Sequence, residues 1–358
     1  MSAVPLPDAR ATARVVGPGG LVAGASAALA IAALLSLAVG PTGVSLSALP
    51  RALAALVSGA GDPATARDQL VLFEIRLPRL LLGAFVGSAL AVSGAMMQGM
   101  FRNPLADPGL IGVSSGAALA AVATIALGNS FALPLVRAFG PYLLPVAAFG
   151  GGIVATAALV AVAARHGELA MGTLLLAGVA LAALASSLTG LIAYASNDQE
   201  LRDLTLWMLG SLSGASWPKA VAVMPFAIAL AFAVPRLVRG LNGLVLGEAE
   251  AFHLGIDVNR LKRTVIVATA AATGAAVAVA GIVGFVGIIV PHLVRLLAGP
   301  DHRAVLPGSA LLGAALVLLA DVLARMLVRP AELPLGVVTA LLGAPLFLHL
   351  VRRWMGSV

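Results

Sequence analysis

The sequence predicts an all-α polytopic membrane protein of ten transmembrane helices, and two features of its 358 residues carry that prediction. Apolar residues make up 60% of the chain, above the roughly 45–50% of a soluble domain. Charged residues make up 10%, too few to build a water-facing surface when about a quarter is usual. At ~20 residues per span, about 215 apolar residues supply on the order of ten spans. A soluble enzyme and a disordered scaffold are thereby excluded for the chain as a whole. The formal charge of +7 does not point to nucleic acid, because the basic residues stand singly between apolar stretches and form no stripe. Loop charge that orients a membrane protein accounts for it. With no cysteine, disulfides, thiolate metal sites and thiol nucleophiles are absent.

Arg10 and Arg14 precede the apolar run Leu21–Val39, which is longer than the ~7–15 residues of a signal-peptide core and shows no obvious A-x-A cleavage site at its end. It reads as an uncleaved first helix with its N-terminus inside, ended by Pro41 and Gly43. Ser45–Ala60 is shorter and carries Arg51, the pattern of an interfacial helix. Five further spans are Leu80–Met100, Gly109–Gly128, Tyr142–Ala164, Leu169–Ala195 and Trp217–Val234. The charged stretch 236–263 then reads as a cytoplasmic loop.

Thr264–Ala298 would reach about 52 Å as one helix, against a core of about 30 Å, so it must fold back. Lys262 and Arg263 before it and Arg295 and Arg303 after it put both ends inside, and Gly281, Gly284 and Gly287 supply the turn. Ala304–Ala324 and Leu333–Val351 complete ten spans in one transmembrane domain over 1–358, with both termini cytoplasmic. Thirteen of the 22 Lys and Arg then lie inside.

The sequence Arg76-Leu77-Pro78-Arg79 opens the second span at its outer end. Proline suits a first helical turn, but cations there oppose the helix dipole. They serve either as anchors in lipid headgroups or as a docking site for an acidic partner, and Arg325 can join them. Gly247–Gly255 has the spacing of a short amphipathic helix, which needs either lipid or a partner to pack on. Phe101–Gly109 reads as a turn, and Gly83/Gly87 and Gly112/Gly116 as close-approach pairs between helices.

Gly112-Val113-Ser114-Ser115-Gly116 matches the nucleophile elbow of hydrolases, but an apolar helical stretch lacks the strand-turn-helix context. The histidines show no H-x-x-x-H pair, and neither Lys219 nor Lys262 sits in a phosphate-binding G-K-[S/T] loop. An ion-coupled carrier needs ionisable groups within the membrane, yet Asp321 and Arg295 lie near span ends. Uphill movement therefore needs energy from another subunit.

Arg76–Arg79, then Asn103-Pro104-Leu105-Ala106-Asp107-Pro108-Gly109 running into Gly112–Gly116, resembles the FecCD-type permeases of bacterial ABC importers for iron-siderophores, haem and cobalamin. Gly284–Gly287, Pro291-His292-Leu293-Val294-Arg295 and Glu332-Leu333-Pro334-Leu335-Gly336-Val337-Val338-Thr339 are similar to that family in order and spacing. The resemblance implies an inner-membrane permease paired with a second copy of itself, two ATPase subunits and a periplasmic substrate-binding protein. On that likeness Arg76, Arg79 and Arg325 meet glutamates of the binding protein. Glu248, Ala251, Leu254 and Gly255 belong to a coupling helix seated in the ATPase, though this stretch departs from the EAA pattern of other importers. The fifth and tenth spans line the route, with a gate near Leu169, Met171 and Thr173.

The resemblance further implies that ATP is held by the partner subunits and that no cofactor is permanently bound. The stretch Asn197–Leu212 looks more like haem permeases than cobalamin ones, which makes haem the expected substrate. Arg202 suits a haem propionate, and Met208 or Met97 a soft contact to iron. Two other readings make different predictions: an ion-coupled secondary transporter would use Asp321, and an intramembrane hydrolase would use Ser114.

Overall fold

The computed structural model describes residues 16–40, 50, 63–128, 133–165, 168–328 and 331–355. Its helices are α1 (Pro18–Ala38), α2 (Leu77–Phe101), α3 (Val113–Leu127), α4 (Leu143–Ala163), α5 (Met171–Ala195) and α6 (Asp198–Met208), followed by α7 (Trp217–Leu246), α8 (Glu248–His253), α9 (Val258–Ala280), α10 (Val286–Ala298), α11 (His302–Leu327) and α12 (Leu335–Met355). A two-residue hairpin, Ala164–Arg165 against Glu168–Leu169, joins α4 to α5. The interfacial helix expected at Ser45–Ala60, and Arg10, Arg14 and Arg51, lie outside the described residues.

Seven helical stretches are long and apolar enough to cross a membrane, those containing α1, α2, α4, α5, α7, α9 and α11. Three shorter apolar helices accompany them: α3, α10 and the Leu335–Leu348 part of α12. By length alone the structure supports seven crossings where the sequence predicts ten. At 15 and 13 residues, α3 and α10 reach about 22 and 20 Å, short of a ~30 Å core. Each therefore depends on the irregular chain in front of it to reach a surface.

The backbone where α6, α9 and α12 meet is satisfied by protein, as the hydrocarbon region requires. Ser211 N donates to Ala280 O at 2.8 Å, Leu335 N to Gly210 O at 2.8 Å and Gly336 N to Leu209 O at 3.0 Å. The end of α9, the loop after α6 and the start of α12 are thus tied backbone to backbone. Only glycine permits this approach at position 281, where φ is +68° and an added Cβ would lie 2.2 Å from Trp207 O. Gly281 makes the expected turn, whereas Gly287 is already inside α10.

The centre of the bundle is α2. Its stripe Gly83, Gly87, Ala91 and Gly94 recurs every three or four residues and admits α11 and α10 at van der Waals distance. A Cβ on Gly87 would lie 2.3 Å from Gly313 O, and one on Gly313 2.5 Å from Gly87 O. Gly116 of α3 makes the same reciprocal approach to Gly151 of α4. Gly112 instead takes a left-handed φ of +76° in the turn ahead of α3.

One boundary differs markedly from expectation. Helix α7 does not stop at Val234 but runs through Pro235 to Leu246. The charges at Arg236 and Arg239 suggest a loop, but Leu237, Gly240, Leu241, Gly243 and Leu244 between and beyond them form a buried face. Packing outweighs the lost proline hydrogen bond. Helix α9 likewise begins at Val258 rather than Thr264, with Asp257 capping it through Arg260 N at 2.9 Å. Only α8 and its short flanks remain of the 236–263 loop.

Candidate functional site

Three regions hold the residues singled out by the sequence. The first lies at the end of the bundle opposite α8. A π-helical turn, Leu70–Arg76, leads into α2 and is pinned by Trp217 Nε1 donating to Phe73 O at 2.9 Å. It swings Arg76 inward. Arg76, Arg79 and Arg325 come together as expected, yet their exposures are 4%, 8% and 4%.

Each guanidinium is engaged within the chain. Arg79 Nη2 meets Asp321 Oδ1 and Glu332 Oε2, each at 2.8 Å, and its Nε reaches Asp321 at 3.1 Å. Arg325 Nε lies 3.1 Å from Asp321 Oδ2, its Nη1 donates to Val39 O at 3.0 Å and its Nη2 faces Ser36 O at 3.4 Å. Arg76 donates to Leu37 O and to Ala38 O. The orphan carbonyls closing α1 thus receive two cations, the favourable partner for a helix C-terminus. The sequence places Asp321 near a span end without a partner assignment, and Glu332 only within a family-like stretch; the structure makes both partners of Arg79. The i, i+4 spacing of Asp321 and Arg325 was the available signal.

The second region is α8. Gly247, with φ +130°, turns the chain away from α7, and the helix closes in a Schellman arrangement. In it Gly255 N donates to Phe252 O at 2.9 Å and Ile256 N to Ala251 O at 3.0 Å, with Gly255 at φ +76°. Ala251 is fully buried against the bundle, while Phe252 and Leu254 stand 71% and 52% exposed. Glu248 is tied to α9 by an ion pair with the buried Lys262 at 2.6 Å. The cleft beside α8, about 800 Å³, is lined by Leu169, Glu248, Phe252, His253 and Lys262 among others. Leu169 therefore adjoins α8, a proximity that spacing along the chain does not reveal.

The third region is α5 with α6. Leu169, Met171 and Thr173 surround the start of α5, and Arg202 and Met208 lie on α6, just beyond its other end. Twenty-five residues of helix separate the two sets by about 37 Å, so they form two stations rather than one site. Helix α6 begins with a full capping box, Asn197 Oδ1 accepting from Glu200 N at 2.9 Å while Asn197 N donates to Glu200 Oε2 at 3.1 Å. Its only buried side chain is Leu204, so Arg202 and Met208 face outward. Met97 is fully buried in α2 and is part of the core. Ser114 sits in the first turn of α3 beside Asp107 and Thr273, in a cavity with no histidine or lysine on its wall. The one titratable group on that wall, Asp107, accepts from Gly109 N at 2.7 Å as the cap of the preceding turn.

Comparison with known proteins agrees with this architecture. The model of the FecCD transport family matches residues 28–353. The hemin transport system permease of Yersinia pestis is 47% identical over 280 residues, which are 78% of this chain and 82% of that one. The cobalamin import permease of Halobacterium salinarum is 42% identical over 339 residues, covering 90% and 88%. Among solved structures, an inward-facing metal-chelate-type ABC transporter superposes with a TM-score of 0.79 at 34% identity, over 93% of this chain and 99% of that one. A family match over nearly the whole sequence, relatives above 40% identity and a shared helical bundle establish that this chain belongs to the FecCD transport family.

Proposed function

We propose that this chain is the membrane-spanning subunit of an ATP-driven importer and that its cargo is haem. The observation that carries the transport reading is α8, a helix anchored outside the bundle at Ala251 and Glu248 with two large apolar side chains facing solvent. A chain with no phosphate loop of its own needs such a handle for a partner that hydrolyses ATP. Haem is favoured by 47% identity to the hemin permease and by the Asn197–Leu212 stretch. The cobalamin permease aligns over a larger share of this chain, which supports a corrin cargo as the second reading.

The protein lies in the cytoplasmic membrane as one domain with both termini inside. Two copies pair, and the pathway runs between them along α5 and α12, where Leu176, Tyr194 and Leu341 lack cover in the single chain. ATP draws two ATPase subunits together below, α8 transmits the movement, and the adjoining Leu169–Thr173 turn opens or closes the inner mouth. At the outer mouth Arg202 meets a haem propionate and Met208 the metal. The periplasmic binding protein docks on the rim whose shape Arg76, Arg79 and Arg325 fix. These residues bind and move cargo and make or break no covalent bond.

Proteoliposomes holding this chain, its ATPase and its binding protein test the reading with haem, a ferric siderophore and cobalamin offered in parallel. Haem uptake that ceases without the ATPase is expected. Uptake by this chain alone under an ion gradient would overturn the importer assignment, and uptake of another ligand would overturn haem. Ala251→Leu adds volume where none is free, at a cost of about 1–3 kcal/mol. It is expected to lift α8 from its seat, so that haem uptake falls while the ATPase continues to turn over.

A further inference from the structure

We propose that a cavity at the α8 end of the bundle, between α2, α7 and the α10–α11 turn, binds a phosphate-bearing anion. Its volume is about 270 Å³, and its wall includes Gln98, Gly99, Arg102, Asn103, Arg295 and His302. That volume exceeds the ~30 Å³ share of a single water several-fold. Nothing in the transport mechanism above uses this cavity.

The charge balance here is one-sided. Arg295 is half-buried on α10, and among the described residues no carboxylate lies within ion-pair distance of it. Its partners are neutral: the Gln98 side-chain oxygen and, at 3.4 Å, Ala95 O. Gln98 is itself anchored by donating to Gly287 O at 3.1 Å, so the guanidinium is held in place without being neutralised. A cation drawn out of water needs an opposite charge. The nearest acidic residue in sequence, Asp301, accepts from Asn242 Nδ2 at 2.8 Å and from Arg303 N at 2.9 Å.

One further cation lines the same cavity, beside a buried histidine that shapes it. His302 is 1% exposed; its Nδ1 donates to Asn242 Oδ1 at 2.8 Å, since Asn242 Nδ2 is the donor to Asp301, and its ring packs on Gly99 at the cavity wall, which leaves the anion to the arginines. Arg102 closes α2 in the left-handed conformation, φ 51° and ψ 33°, at a position where glycine is the usual occupant. An arginine there is conformationally disfavoured, and this exposed residue lines the same cavity. Two arginines on one wall match the acceptor oxygens of a phosphate. The end of a spanning helix is also where lipid headgroups lie, so the anion comes either from an acidic phospholipid or from free phosphate.

The experiment measures thermal unfolding of the purified full chain in neutral detergent, with added phosphatidylglycerol, phosphatidylcholine or inorganic phosphate. Phosphatidylglycerol is expected to raise the melting temperature where phosphatidylcholine does not. Arg102→Asn keeps a residue tolerant of the left-handed conformation and removes the charge. It is expected to weaken the apparent affinity about tenfold, as loss of one charge-assisted contact implies, and Arg295→Gln to abolish the shift. Stabilisation by inorganic phosphate alone, lost in the same variants, would assign the site to a free anion. Equal responses of parent and Arg102→Asn to every additive would overturn the proposal, because generic attraction of a +7 chain to acidic lipid is unaffected by one exposed residue.

Discussion

Asp321→Ala is expected to destabilise the purified chain by about 3–5 kcal/mol, the range for removing one side of a buried ion pair. Asp321 is 1% exposed and serves two guanidiniums, Arg79 at 2.8 Å and Arg325 at 3.1 Å. Without it Arg79 keeps Glu332, whose side chain is 29% exposed, and Arg325 keeps neutral acceptors, the carbonyls and hydroxyl at the end of α1 and the carbonyl of residue 321. Two buried cations would then share one partly solvated carboxylate. Thermal unfolding in detergent checks the size of the loss. The double variant Asp321→Ala/Arg325→Met removes one charge of each sign and is expected to recover part of it, giving the coupling energy of the pair. A parental melting curve for Asp321→Ala would mean that the cluster does not hold this end of the bundle together.

The same result bears on mechanism. A carrier driven by an ion gradient would need a carboxylate that gains and loses its charge, and Asp321 is the candidate that the sequence offers. In the structure it is instead engaged by two arginines, Arg79 at 2.8 Å and Arg325 at 3.1 Å, as part of the packing at this end of the bundle. Loss of uptake on replacing it would report the collapse of the rim as readily as the loss of a coupling site. The requirement for a separate ATPase is therefore the cleaner discriminator, and the amount of folded protein has to be measured alongside transport in any Asp321 variant.

Membrane spans were legible because their signal is compositional: Leu21–Val39, Leu80–Met100 and Tyr142–Ala164 each lie within a few residues of α1, α2 and α4. The fold-back of Thr264–Ala298 was legible from length alone, since no bilayer accommodates such a helix. The extension of α7 was not, because a helix leaving the membrane trades an apolar circumference for an amphipathic one, and two arginines with a proline mimic a loop. The cluster of Arg76, Arg79 and Arg325 could be read as a cluster, yet their burial could not. Burial depends on the π-helical turn ahead of α2 and on carboxylates more than 240 residues away in sequence from Arg79. Arg202, Met208, Leu169 and Thr173 could be named one by one, but whether they share a site is a question of distance, which a helix of fixed rise answers and a motif does not.

Gly94→Val is expected to abolish assembly of the bundle, a larger effect than any side-chain change proposed above. A Cβ at position 94 would lie 1.9 Å from Gly287 O and 2.5 Å from Gly287 Cα. Both partners are backbone, so no rotamer change relieves the clash and α2 and α10 must move apart by more than 1 Å to reach ordinary contact near 3.4 Å. That separation also strains the Gln98 bonds to Gly287 O and Ile288 O, at 3.1 and 3.2 Å, and with them the anchor of Arg295. The cost is expected to exceed the ~1–3 kcal/mol of ordinary overpacking. Lipid tails are as apolar as the helices, so close packing and interhelical hydrogen bonds, rather than the hydrophobic effect, must hold such a pair together. Gly24→Ala provides the control: a Cβ there meets nothing within 4 Å, and the better helix former is expected to leave stability unchanged or raise it by up to about 1 kcal/mol. Size-exclusion profiles and melting curves of the two variants should therefore diverge, Gly94→Val losing the monodisperse peak and Gly24→Ala keeping it. If both retained parental behaviour, α10 would have to start at a different height along α2, and the polar chain from Gly287 through Gln98 to Arg295 would need another register.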